Sequence, residues 1–208
     1  MLRSLTLTLL LVAFATPAAA VTFSYDCVSG NSSGDCAIGE SQIGLEVLDL
    51  GGGQVSITIS NVGSESNSIA NVYFDDDLGA LMALSAMSGA GVSFEPGGAP
   101  GNLPSGNGIG FVADYLVSAT SPAPKDGVNP GEEVTLVIDL SAGFDFDDII
   151  DALTNGDLRV GMHVIAYESG GSESFVNGTT PGGLPEPGSL ALLGMALGAV
   201  AWRRGRRS

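Results

Sequence analysis

The chain has 208 residues, with 23 acidic against 7 basic side chains and a net charge of −16. Only Glu186 of the acidic residues lies outside residues 21–184, where Lys125 and Arg159 are the sole basic ones, so that stretch carries about −20. Such a surface repels phosphate and anionic headgroups, which argues against nucleic-acid and lipid-surface binding; it attracts divalent cations and keeps an exported protein dispersed.

The first residues read as a secretory signal peptide. Arg3 supplies a positive start, an apolar run extends from Leu5 to Ala15, and Thr16-Pro17 breaks it. Ala18, Ala19 and Ala20 provide the small side chains needed beside a scissile bond, with Ala18 and Ala20 defining a cut after Ala20. The run is too short for a bilayer, which takes roughly 20 apolar residues.

The body then reads as short strands separated by turns. Val21, Phe23, Tyr25 and Cys27 alternate, and a polar loop, Gly30 to Gly34, lies between Cys27 and Cys36. These are the only cysteines of an exported chain, so a disulfide is expected. Ile43, Leu45 and Val47 form one strand face; Val55, Ile57 and Ile59 form another, and Gly51-Gly52-Gly53 between them marks a hairpin. Ala70, Val72 and Phe74 lead into Asp75-Asp76-Asp77. Residues 79 to 87 fit a strand or a short helix, and Val92 and Phe94 fit a brief strand. Gly97 to Gly108 reads as a mobile loop. Phe111, Ala113, Tyr115 and Val117 alternate; a Pro-rich turn covers Ser121 to Gly131; Val134, Leu136, Ile138 and Leu140 alternate again.

One helix stands out. Phe146, Ile149, Ile150 and Leu153 fall at helical spacing, Asp145 can cap it, Asp147 and Asp148 occupy the first turn, and Asn155-Gly156 stops it. Leu158, Val160, Met162, Val164 and Ala166 give the best late strand, and a Gly/Ser-rich stretch follows. The expected fold is therefore mainly β, an antiparallel β-sandwich with one short amphipathic helix near its end. Its expected parts are a signal peptide at 1–20, a body at 21–176, a Gly/Pro linker at 177–184 and a tail at 185–208.

The tail has three parts in order. Pro185-Glu186-Pro187 comes first, an uncharged apolar stretch runs over 189–202, and Arg203, Arg204, Arg206 and Arg207 close the chain. With its flanks the apolar run gives about 24 Å of helix. That falls short of a hydrocarbon core of about 30 Å and suits a transient stop, with the arginines holding that end in the cytoplasm. This arrangement resembles the PEP-CTERM sorting signal. The resemblance implies recognition by a membrane-embedded exosortase, removal of the tail near Pro-Glu-Pro, a Gram-negative host, and a link to exopolysaccharide and biofilm. Leu184-Pro185-Glu186-Pro187-Gly188 also looks like a sortase motif, but Pro187 replaces its threonine; a plain membrane anchor is the third alternative. In the body, Gly161, His163 and Val164 with the run Gly170 to Val176 loosely resemble domains that precede such tails.

Signs of catalysis are few. His163 is the one histidine, no serine or cysteine nucleophile stands in a recognisable setting, and no phosphate loop is present. Two acidic runs, Asp75, Asp76 and Asp77, and Asp145, Asp147, Asp148 and Asp151, offer hard oxygen ligands for calcium without matching a known calcium loop. Tyr73 and Tyr167 are expected on outer sheet faces, where they would offer sugar-stacking platforms. The sequence thus points to a non-enzymatic surface or matrix protein. Its expected partners are signal peptidase and exosortase, with exopolysaccharide as a further one, and no cofactor apart from calcium. A calcium- or carbohydrate-binding module is the alternative, and a polysaccharide hydrolase the third class.

Overall fold

The computed structural model describes residues 19–182. Residues 1–18, and everything from 183 onward, including the Pro-Glu-Pro motif, the apolar run and the arginines, lie outside the described residues. In chain order the elements are β1 (Ala20–Cys27), α1 (Ser33–Gln42), β2 (Ile43–Gly51), β3 (Gln54–Asn61), β4 (Ser68–Asp76), β5 (Leu81–Ser88), β6 (Phe94–Pro96), a 3-10 turn (Gly106–Ile109), β7 (Tyr115–Ala119), α2 (Ala123–Asp126), β8 (Glu132–Leu140), α3 (Phe146–Asn155), β9 (Leu158–Ile165) and β10 (Glu173–Gly182).

Alternation explains the central strands. Leu45 and Val47 of β2 stand opposite Ile59 and Ile57 of β3, which in turn face Val134 and Leu136 of β8. All six are buried, while their polar neighbours Glu46, Thr58 and Thr135 lie on the other face. The β2–β3 turn needs its three glycines, since Gly51, Gly52 and Gly53 all have positive φ.

The strands form one antiparallel sheet in the order β5-β8-β3-β2-β1-β10-β9-β4-β7-β6. It curls until its ends approach, and the Tyr115 hydroxyl on β7 donates to the Leu81 carbonyl on β5 at 3.0 Å. The body is thus mainly β and sandwich-like, with one apolar core between the facing arcs. The helix α3 forms as its pattern requires. Asp145 accepts the Asp148 N–H, the Asp148 side chain accepts the Asp145 N–H, and Gly156 ends the helix in the left-handed conformation. Ile149 and Leu153 are its fully buried residues, packed towards β2, β9 and β10.

The structure decides one open expectation and changes others. Residues 79 to 87 resolve as strand β5. The Cys27–Cys36 ring is only partly a polar loop, because α1 starts at Ser33 with Ser32 capping the Asp35 N–H at 3.3 Å. The alternation from Phe111 to Val117 becomes a strand only from Tyr115; Phe111 precedes it in a loop and is fully buried. The Pro-rich turn region contains the one-turn helix α2. The linker boundary at 177 is also wrong. β10 continues to Gly182, with Asn177 opposite Tyr25, Pro181 opposite Phe23 and Gly182 opposite Thr22. Pairing with β1 holds a Gly/Thr/Pro stretch whose composition reads as loop.

Candidate functional site

Two covers lie on the sheet, and each is fastened to it by buried polar groups. The first is the segment 97–113, expected to be mobile. It is packed instead: Leu103 and Phe111 are buried against Tyr73 of β4 and Val176 of β10. Gly161 of β9 makes the space, because a Cβ there would stand 3.0 Å from Phe111 and 3.1 Å from Leu103. Asn102 ties the loop to itself, donating to the Phe111 carbonyl and accepting the Ala113 N–H, both at 3.0 Å. Arg159 then locks it. Its guanidinium donates to the carbonyls of Ile109 (3.0 Å) and Gly110 (2.7 Å), pairs with buried Asp75, and stands 5.2 Å from the centroid of the Phe111 ring. Asp75 also accepts the Val112 N–H at 3.1 Å.

The second cover is the Cys27–Cys36 ring with α1. Cys27 and Cys36 are joined by a disulfide, their Cα atoms 5.5 Å apart. Inside the ring sits the carboxylate of Glu173 from β10, almost completely buried. It accepts the N–H groups of Asn31 (3.0 Å) and Ser32 (2.6 Å) and the hydroxyl of Ser29. Three donors around one carboxylate satisfy a polar group that would be costly to bury unpaired. The helix lies close to the sheet because Gly39 rests on the Phe175 ring, where a Cβ would overlap it. Nearby, burial together with the Asp35 and Glu173 carboxylates pushes the Tyr167 phenol above its ordinary range.

The acidic runs are spent on the fold to different degrees. Asp75 serves Arg159, and Asp76 accepts the N–H groups of Ala80 (3.0 Å) and Leu81 (2.8 Å), shaping the turn into β5. Asp77 is exposed. In the other run Asp145 and Asp148 form the α3 capping box, while Asp147 and Asp151 are exposed. An open groove of about 390 Å³ brings Asp145 and Asp147 towards Asp49 and the β2–β3 turn. Among the described residues, the only three ligand-type side chains within 4.8 Å of one another are Cys27, Cys36 and Glu173, and the two sulfurs there are already bonded.

His163 is half-buried on β9, with Asn71 of β4 and Ser174 of β10 as its cross-strand neighbours. Burial lowers its pKa, so the imidazole is neutral around pH 7. Among the described residues, no nucleophile is hydrogen-bonded to it. The tyrosines expected on outer faces are covered: Tyr73 lies under the 97–113 loop and Tyr167 is also buried. Sequence pattern missed Glu173, Gly39 and the Arg159–Asp75 pair. A buried acid among serines, a helical glycine and two charges far apart in the chain have no periodicity to reveal them.

No helix among the described residues is long and apolar enough to cross a membrane; the apolar run at 189–202 lies beyond them. A family model described as the PEP-CTERM protein-sorting motif matches residues 184–207. The chain carries a PEP-CTERM sorting motif. It indicates exosortase-dependent sorting to the cell surface. The match spans Pro185-Glu186-Pro187 and the arginines up to Arg207. No curated protein and no solved structure matches the chain.

Proposed function

We propose that the protein is a non-enzymatic component of the cell surface or extracellular matrix of a Gram-negative bacterium, delivered as a precursor briefly held in the membrane by residues 189–202. Signal peptidase removes residues 1–20, and an exosortase then cuts near Pro185-Glu186-Pro187. The PEP-CTERM motif at 184–207 carries this reading. Chain order supports it. β10 ends at Gly182, just before the motif, and β1 keeps Val21 to Cys27 after a cut following Ala20. Both cuts therefore leave the strands in place apart from Ala20, the first residue of β1. A link to exopolysaccharide follows from the sorting route rather than from a sugar site in the body.

Intact-mass measurement on protein from a host with its exosortase tests this. The expected C-terminus lies between 184 and 188. Exosortase deletion, or Glu186→Ala, should leave a longer membrane-bound form. Wild-type protein that still carries Trp202 and the arginines would falsify exosortase removal and leave a plain anchor.

A further inference from the structure

The chain enters and leaves the body side by side. β1 opens at Ala20, β10 ends at Gly182, and the two strands pair antiparallel with Thr22 opposite Gly182. Antiparallel register carries that rim around the sheet. It collects the β2–β3 turn at 51–53, the β4–β5 turn at 77–80, the stretch from Ser141 into α3, and Asp157 before β9. The opposite rim holds the Cys27–Cys36 ring, the turn at 62–67 and residues 166–172. The expected cut after Ala20 falls on the first rim. The sorting motif starts there too: Pro185 follows Gly182 by three residues, which reach at most about 11 Å. The eight residues of β1 extend roughly 26 Å towards the other rim, beyond that reach.

The exposed side chains of the two rims differ. Seven large apolar residues are exposed among the described residues, and six of them, Leu50, Leu78, Met82, Ile109, Val112 and Tyr115, stand at or next to the first rim. Leu50, Leu78 and Met82 flank its turns. Arg159 holds the Ile109 carbonyl there, Asp75 the Val112 N–H, and Leu81 the Tyr115 hydroxyl. Only Val62, whose N–H donates to the Gln42 carbonyl, is at the other rim. The first rim is also acidic, with Asp77, Asp145, Asp147 and Asp157 exposed. No basic side chain among the described residues balances them. Arg159 is engaged with Asp75 and two carbonyls, and Lys125 lies in α2, beside the Ile69–Val128 bridge at the far end of β4. Anionic headgroups would be repelled from such a rim. A protein face with apolar pockets and basic residues fits both features.

We propose that this rim is where the folded body docks on the exosortase, against a face of the enzyme that is apolar at its centre and basic at its border. The inference rests on the sorting reading and adds a surface of the body to it. The rim is held while the motif, a few residues away, is cut. The rim closed by the disulfide points away from the enzyme and stays free.

Pulse–chase of the full-length precursor in a host with its exosortase tests this by the rate at which the tail is lost. Leu78→Lys with Met82→Lys puts two cations on the rim, at side chains 46% and 57% exposed, and should slow removal about threefold or more. Val62→Lys, at a residue 74% exposed on the other rim, should leave the rate unchanged. Signal-peptide removal and the melting temperature of the processed body should match wild type in both variants, so that export and folding are not the cause. The lysines also separate enzyme from lipid. A rim facing anionic headgroups would be cut at an equal or faster rate with two added cations, and that result overturns the proposal. Equal slowing by the two variants overturns it as well. In both of those cases the wild type still loses its tail and the sorting reading stands; wild-type protein that keeps its tail ends that reading and this one together.

Discussion

The two covers solve one problem in different ways. Each lays an irregular segment on a sheet face, and each needs an aromatic ring against a glycine: Phe111 on Gly161, and Phe175 under Gly39. What fastens them differs. The ring containing Cys27 and Cys36 is closed covalently, and its backbone N–H groups converge on Glu173. The 97–113 segment has no covalent tie. A single arginine from the sheet reaches two of its carbonyls, its aromatic ring and Asp75 together. The first cover loses its fastening in separable parts, whereas the second gathers several of its ties to the sheet on one side chain, beside the Tyr73 hydroxyl donated to the Pro100 carbonyl at 3.2 Å. Arg159 removal should therefore do more damage than disulfide removal.

The largest expected effect is that of Arg159→Met. It strands Asp75 in a buried place with only the Val112 N–H for company, and breaking such a pair costs about 3 kcal/mol or more. Urea unfolding of the processed protein measures it. The double variant Asp75→Asn with Arg159→Met should recover part of the loss, because the uncompensated charge is gone. No recovery would mean that the carbonyl and ring contacts of Arg159, rather than its pairing, hold the loop.

Replacing both cysteines with serine should cost about 2–3 kcal/mol, the range for a loop of this length. Glu173 keeps its three donors in that variant, so the segment 28–36 should loosen in hydrogen exchange without global disorder. Loss of protection throughout β10 would show instead that the disulfide and Glu173 act as one unit. The glycines come next. Gly39→Ala pushes a methyl into the Phe175 ring with no room to turn and should cost about 2 kcal/mol. Gly161→Ala meets its neighbours at 3.0 to 3.2 Å, a gap that small shifts of Leu103 and Phe111 can absorb, so about 1 kcal/mol is expected. The reverse order would put the tighter fit under the arginine-held loop.

Legibility in the sequence followed regularity. β2, β3, β8 and β9 have clean alternation, and α3 has a stripe, a cap and a stop, so their residues declare their faces. The covers do not. The buried residues of α1 are Asp35, Gly39 and Gln42, which form no apolar stripe. Leu103 is isolated among Gly, Pro, Asn and Ser, and only its burial against Tyr73 shows that its loop is fixed. β10 past residue 176 reads as linker because its partner β1, not its own composition, makes it a strand. The sorting motif was legible because it is linear: three parts in order, needing no tertiary contact.

His163 gives the smallest effect and tests the strand that borders both covers. β9 carries Arg159 and Gly161 under one cover, and His163 pairs across to Ser174, the neighbour of Glu173 under the other. Burial lowers the His163 pKa below its ordinary value of about 6.5. The folded state thus binds the proton less well than the unfolded chain. Its contribution to stability is full above about pH 6.5 and is lost as pH falls through the unfolded value, levelling off below the folded one. The slope from one such group is at most about 1.4 kcal/mol per pH unit. Carboxylates also titrate as acid is added, so the comparison must be with His163→Gln rather than with theory. Between pH 7 and 5 the wild type should lose more stability than the variant. Equal slopes would mean that the ring protonates freely where it sits, and that the strand between the two covers is more open than its neighbours.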